Sequence, residues 1–156
     1  MLTKKTKDEI LELQTLYPEK RSALIPALHI AQAEVGYLPH DVQEEVAHLF
    51  GIHTTEVHAL VTFYDMFYEE PVGKHIIHVC KNASCMLRGC DDILQGVCKR
   101  LGIHPGETSA DGQFTVIGSE CLGACDRAPM MLVDEQVLGP VQEADLDAIL
   151  KEAKNG

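Results

Sequence analysis

Val79-Cys80-Lys81-Asn82-Ala83-Ser84-Cys85 and Glu120-Cys121-Leu122-Gly123-Ala124-Cys125-Asp126 are the two stretches on which the reading of this chain turns. Each cysteine pair follows an apolar run that reads as a strand, His75 to Cys80 and Thr115 to Glu120. The pairs lie about one βαβ unit apart. Met86 to Leu101 between them has helical periodicity, and Gly106 to Gln113 is a turn-rich loop around Asp111-Gly112. Met130 to Val133 reads as a further strand. Ala144 to Ala153 reads as a closing helix capped near Gln142 or Glu143. The result is a small α/β domain with both cysteine pairs at strand ends.

Upstream the pattern is helical. Lys7 to Tyr17 carries Ile10, Leu11, Leu13 and Leu16 in one stripe and stops at Pro18. Arg21 to Val35 is a second amphipathic segment, with Pro26 near its start and Gly36 as its stop. Asp41 is the expected N-cap of a third helix that turns Val42, Val46, Leu49 and Phe50 inward and ends at Gly51. Thr54 is the expected cap of a fourth, running from Thr55 to about Phe63. Thr62-Phe63-Tyr64-Asp65-Met66-Phe67-Tyr68 is rich in large apolar groups and suits either core or contact surface. Glu69-Glu70-Pro71-Val72-Gly73-Lys74 breaks the helical pattern. The expected division is therefore a helical bundle over 1–70 and the α/β domain over 71–156.

The chain has 156 residues, enough to bury a core without cross-links, since domains of this size bury roughly 70% of the surface their unfolded form exposes. No apolar h-region follows the charged first residues, and no stretch has the apolar length of a membrane span. A cytoplasmic location in a reducing compartment follows, where six cysteines point to metal or redox chemistry before disulfides. The net charge is −11. Between Arg21 and Lys74 there is no Lys or Arg, while Glu34, Asp41, Glu44, Glu45, Glu56, Asp65, Glu69 and Glu70 all fall there. Such a surface repels nucleic acid and anionic lipid and suits a protein partner with a basic face, or simply keeps the chain soluble. Val42 to Leu60 has the outline of a helix-turn-helix, but its second helix, Thr55 to Leu60, has no cation for phosphate. Nucleic-acid binding is not expected.

Four thiolates in two close pairs form a site for an iron–sulfur cluster or for zinc. A [2Fe–2S] cluster takes four thiolates, two to each iron. Structural zinc sites commonly include a Cys-x₂-Cys pair, whereas these pairs are separated by four and by three residues, which favours iron–sulfur. Cys85 opens the expected helix, where backbone amides stabilise a thiolate. Gly123 lets the second loop bring N–H groups towards sulfur. Cys90 lies five residues beyond Cys85, which in a continuous helix turns it away from the ligand face. Cys98, among Ile93, Leu94, Val97 and Leu101, reads as a small buried hydrophobe. The histidines, His75 and His78 included, are read as satisfied or surface groups. Neither G-x-G-x-x-G nor a Walker pattern is present, so no nucleotide cradle is expected in this chain.

Taken with Tyr37-Leu38-Pro39, Thr62 to Phe67, Cys85-Met86-Leu87-Arg88-Gly89, His104-Pro105-Gly106-Glu107-Thr108, Glu120 to Cys125 and Ala128-Pro129-Met130, these motifs resemble, in order along nearly the whole chain, the thioredoxin-like [2Fe–2S] subunit family of respiratory complex I, the NADH:quinone oxidoreductase. The resemblance implies an N-terminal helical bundle followed by a thioredoxin-like [2Fe–2S] ferredoxin domain. It implies that Cys80, Cys85, Cys121 and Cys125 hold one [2Fe–2S] cluster. The expected partner is a flavoprotein subunit that binds FMN and NADH, and the acid-rich bundle is the expected docking face. The isolated chain is expected to catalyse nothing, and any membrane association would be peripheral, through the complex. The same module occurs in soluble NAD-linked or bifurcating hydrogenases and NAD-dependent formate dehydrogenases, which stay open as alternatives beside a free-standing carrier. Cys90 departs from the family pattern, which has a small non-cysteine residue there.

Overall fold

A computed structural model describes residues 1–155, which divide into two compact units, Met1–Pro71 and a second that begins at Val72. The first unit holds four helices: α1 (Lys4–Gln14), α2 (Leu24–Val35), α3 (His40–Phe50) and α4 (Thr54–Phe63). Their boundaries differ from those the sequence patterns predict, because the caps are different residues. Thr3 caps α1 by accepting the Thr6 N–H at 3.3 Å, so the helix begins at Lys4 and is over before Leu16, which is exposed. The Arg21 end of the predicted second helix is a separate 3-10 turn, Lys20–Ala23, and α2 starts at Leu24. Pro39 rather than Asp41 stands at the N-cap of α3, which leaves the Asp41 carboxylate in the first turn, where the helix dipole favours it. His53, not Thr54, caps α4, in a reciprocal pair with Glu56. Gly36 and Gly51 close α2 and α3 with φ of 90° and 66°.

Ile10, Leu24, Leu28, Leu38, Val42, Val46 and Val57 are buried together at the centre of this unit. Phe67 joins them, while Phe63 and Met66 from the same aromatic segment remain exposed. That segment is pinned by backbone: the Leu38 N–H donates to the Tyr68 carbonyl at 2.6 Å, and Gln32 bonds the Met66 carbonyl and the Tyr68 N–H. The acid-rich stretch is partly neutralised from upstream. Lys7 reaches Glu45 at 2.9 Å and Arg21 reaches Glu56 at 2.7 Å. Partial burial pushes the Glu45 carboxyl up, but the Lys7 ammonium and the Leu2 N–H outweigh it and hold the group below the usual carboxylate range. Its folded pKa being depressed, its stabilisation is present above the unfolded value, near 4.3, and is lost as pH falls through the folded one. We expect Glu45→Gln to lower stability by up to about 1 kcal/mol at neutral pH. At a pH below both values the variant and the parent should match in denaturant unfolding.

The second unit is built on a four-stranded sheet in the order β2-β1-β3-β4, with β1 (His75–Cys80), β2 (Phe114–Ser119), β3 (Met131–Val133) and β4 (Gln136–Leu138). β1 pairs parallel with β2 and antiparallel with β3, and β3 pairs antiparallel with β4. The helices are α5 (Ala83–Leu87), α6 (Cys90–Leu101) and α7 (Leu146–Asn155). Ile77 and Val79 of the central strand alternate inward to meet Val97, Phe114, Val116, Met131 and Leu146. Lys154 near the end of α7 bonds Asp111 at 2.8 Å; with Ser109 and the Gln113 N–H it holds that carboxyl well below the usual carboxylate range.

Two features of this unit differ from the sequence pattern. The single helix expected over Met86 to Leu101 is two, because Gly89 sits at φ 87° and breaks the run. The Asn82 carboxamide caps the short α5 through the Ala83 N–H at 2.9 Å. The sequence pattern gives no sign of β4. It is a three-residue edge strand, reached through Asp134 in the left-handed region at φ 54°.

Candidate metal centre

Cys80 is the last residue of β1, and its N–H donates to the Met130 carbonyl at 3.2 Å. Cys85 is the third residue of α5 rather than the first of a longer helix. Both side chains are buried, at 2% and 1% exposure. Cys121 and Cys125 follow β2, with Cys125 opening a 3-10 turn through Arg127, and both are exposed. Gly123, at φ 82°, turns the chain between them. The two Sγ atoms lie 3.9 Å apart. Thiolates held tetrahedrally on one metal at about 2.3 Å stand roughly 3.8 Å from each other, so this pair is already at single-metal spacing.

Backbone joins the two loops. The Leu122 N–H, between Cys121 and Gly123, is hydrogen-bonded to the Cys80 sulfur, as are the Asn82 N–H and the Cys85 thiol. Burial works against ionising Cys80, but these donors outweigh it and hold its pKa below the ordinary thiol value. Cys85 goes the other way. Burial raises it, the Met130 N–H opposes, and the neighbouring Cys80 and Cys90 sulfurs add to the rise. Within the inner pair Cys80 is therefore the more readily ionised thiol and Cys85 the less, and both must shed their protons to a metal on binding it.

These groups fit a [2Fe–2S] cluster on the chemistry of the donors: four thiols, arranged as two pairs, with amide N–H groups aimed at sulfur. Among the described residues no three His, Cys, Asp or Glu side chains converge on one point. Two thiolates to each iron is the arrangement a two-iron group takes, whereas zinc takes four donors about one centre. Ala128 and Met130 line the buried side of the site. The Ala128–Pro129 peptide bond beside them is cis.

The other sequence candidates fall as follows. His75 is held by Asp134 at 2.8 Å and His78 by Ser119 at 2.8 Å. Cys98 packs with Ile93, Leu94 and Val97. Cys90 departs from its expected place: the break at Gly89 restarts the helix, so Cys90 is fully buried in one cluster with Cys80 and Cys85 instead of turning away from them. Its thiol is pushed up by burial, then by Asp91 and Cys80. The Leu122, Asn82 and Met130 amides escape sequence reading, because a backbone donor leaves no residue signature; Gly123 is the one available hint.

A sheet of this order with thiol pairs at the ends of its parallel strands defines a small iron–sulfur domain of the thioredoxin type, preceded in the sequence by a helical unit. The model of the thioredoxin-like [2Fe–2S] ferredoxin family matches residues 10–154, and the chain belongs to that family. It is 46% identical over 145 residues to the second of the E-type subunits of NADH-quinone oxidoreductase in Rhizobium meliloti, covering 93% of this chain and 86% of the relative. The corresponding E-type NADH-quinone oxidoreductase subunits of Pseudomonas aeruginosa and Escherichia coli are 36% and 38% identical. The first match covers 86% of this chain and 81% of the relative, the second 76% and 72%. Among solved structures, an NAD⁺-reducing [NiFe]-hydrogenase superposes with a TM-score of 0.72 at 25% identity. That match covers 85% of this chain but only 23% of the hydrogenase chain.

Proposed function

We propose that this chain is the electron-transfer subunit of the NADH-oxidising module of an NADH:quinone oxidoreductase, holding one [2Fe–2S] cluster on Cys80, Cys85, Cys121 and Cys125. The observation that carries the reading is the parallel pairing of β1 with β2, which sets Cys80 opposite Ser119 so that both cysteine loops leave the same end of the sheet, with the Cys121 and Cys125 Sγ atoms 3.9 Å apart. The relatives named as NADH-quinone oxidoreductase subunits support the choice of complex. When bound, the cluster accepts and returns one electron. The protein's part is to position and tune. Cys80 and Cys85 would hold the group at the end of the sheet, and the buried Ala128 and Met130 beside them would keep water from it. Cys121 and Cys125, both exposed, would hold it at the surface, within reach of an electron donor. N–H donors on sulfur stabilise the added electron and raise the potential. Nothing in the chain's own chemistry calls for substrate turnover, so the partner supplies it: a flavoprotein subunit that binds NADH and FMN, with the complex peripheral to the membrane on its cytoplasmic side. Among the described residues no helix is long and apolar enough to cross a membrane.

The likeness to the NAD⁺-reducing hydrogenase favours a second reading, the corresponding subunit of a soluble NAD-linked enzyme. Co-purification of the native chain from membrane and soluble fractions separates them. The expected result is recovery with a flavin subunit and integral membrane subunits. Recovery in the soluble fraction with a hydrogenase or formate dehydrogenase subunit would move the chain to the second reading. Recovery without any flavin partner would leave a free carrier and overturn both.

A further inference from the structure

A fifth thiol stands against the inner ligand pair. Cys90 is completely buried, and with Cys80, Cys85, Ala128 and Met130 it forms one packed cluster separate from the main core of the domain. In an unbroken helix the five-residue step from Cys85 would have swung it roughly 140° around the axis. The turn at Gly89, with φ 87°, reverses that and delivers Cys90 as the first residue of α6. Gly89 offers no side chain to the first-turn amides of this helix. A thiolate at that position would meet those amides and the positive end of a twelve-residue helix.

The chain between the two thiols contributes little to the core. Met86, Leu87 and Arg88 are exposed, Leu87 at 82%, so moving α5 outward uncovers little core beyond Cys85 itself. Cys80, by contrast, is fixed at the end of the central strand. Cys121 and Cys125 lie on the other loop and do not depend on α5.

Resting on the ligand assignment above, we propose that Cys90 is a reserve ligand: Cys80, Cys90, Cys121 and Cys125 form a second complete set that holds the cluster when Cys85 is lost. The exchange needs no oxidant or reductant. An iron–thiolate bond to Cys85 breaks, one to Cys90 forms, and the Cys90 proton passes to the departing sulfur. Occupancy of the cluster then tolerates damage at Cys85 but at none of the other three positions.

The full chain is reconstituted anaerobically with iron and sulfide as wild type, Cys85→Ala, Cys90→Ala, Cys85→Ala/Cys90→Ala and Cys121→Ala. Iron, acid-labile sulfide and visible circular dichroism are read on each, with far-ultraviolet circular dichroism as the folding control. Cys85→Ala should stay largely loaded with an altered visible spectrum, and the double variant should be empty. Cys90→Ala should look like wild type. A folded Cys85→Ala chain as empty as the double variant, beside an empty Cys121→Ala chain, would overturn the reserve role and leave the four-ligand reading standing. A loaded Cys121→Ala chain would instead sink that reading. Should Cys85→Ala not fold, Cys85→Ser is compared with Cys85→Ser/Cys90→Ala. Thiolate-to-iron absorption lost only in the second supports the proposal, and equal spectra refute it.

Discussion

Cys121→Ser should lose the cluster and keep the fold. Cys121 is exposed and belongs to none of the buried clusters, so its replacement takes nothing from the sheet or from the helices packed on it. Its proposed part is in binding the cluster. It stands 3.9 Å from Cys125 at the surface of the domain, and a serine hydroxyl in its place is a far weaker ligand that must also shed its proton. Removal of groups that merely support a metal ligand typically costs 10–100-fold in affinity, and the loss of a ligand should exceed about 100-fold. The expected result is a chain with little bound iron and sulfide, no visible absorption and an unchanged far-ultraviolet spectrum. Cys80→Ser is the poorer test of the same idea. Cys80 is buried and accepts from Leu122 and Asn82, so its loss disturbs packing and loop position together with ligation. Iron and sulfide at wild-type levels in Cys121→Ser would remove Cys121 from the ligand set.

What can be read from the sequence follows the range over which each feature is determined. β1 is legible to the residue because His75 to Cys80 alternates on the sheet and ends where the loop chemistry begins. The stops of α2 and α3 are legible because Gly36 and Gly51 mark left-handed caps. The candidate ligands are legible because thiol spacing is itself the signal. Helix starts are less so: Thr3, Pro39 and His53 compete with better-known caps close by, and neighbouring chain decides between them. Gly89 shows the limit most sharply. An isolated glycine inside a helical pattern is compatible with either a continuous helix or a break, and the break carries Cys90 from the outside of the domain into its sulfur-rich interior. The Leu122 amide on Cys80 and the Lys7–Glu45 pair are long-range contacts with no periodicity behind them. Only the fold reveals either.

Gly139→Ala should destabilise the domain and empty the site through backbone alone. A Cβ at Gly139 would land on the Arg127 carbonyl oxygen and stand 3.0 Å from the Cβ atoms of both Arg127 and Met130. None of these is the far end of a flexible side chain, so the backbone itself must shift. Arg127 ends the turn that Cys125 opens, and its N–H is tied to the Ala124 carbonyl at 3.0 Å. Met130 serves the inner pair, accepting the Cys80 N–H through its carbonyl and donating its own N–H to the Cys85 sulfur. The added methyl therefore presses on the supports of both thiol pairs at once. Overpacking of this kind costs about 1–3 kcal/mol, and each kcal/mol lowers Tm by roughly 4–8 °C in a domain of this size. Gly102→Ala is the matching control. That glycine closes α6 at φ 68° with nothing within 4 Å of its Cβ, so it should show only the left-handed backbone penalty of about 1–2 kcal/mol and a normal cluster content. If thermal unfolding and iron analysis gave the two variants the same cluster content, the Arg127–Met130 backbone would have no hold on the site. Loss of the cluster in Gly139→Ala alone would show that a methyl group outside both cysteine loops controls all four thiols through the segment that joins them.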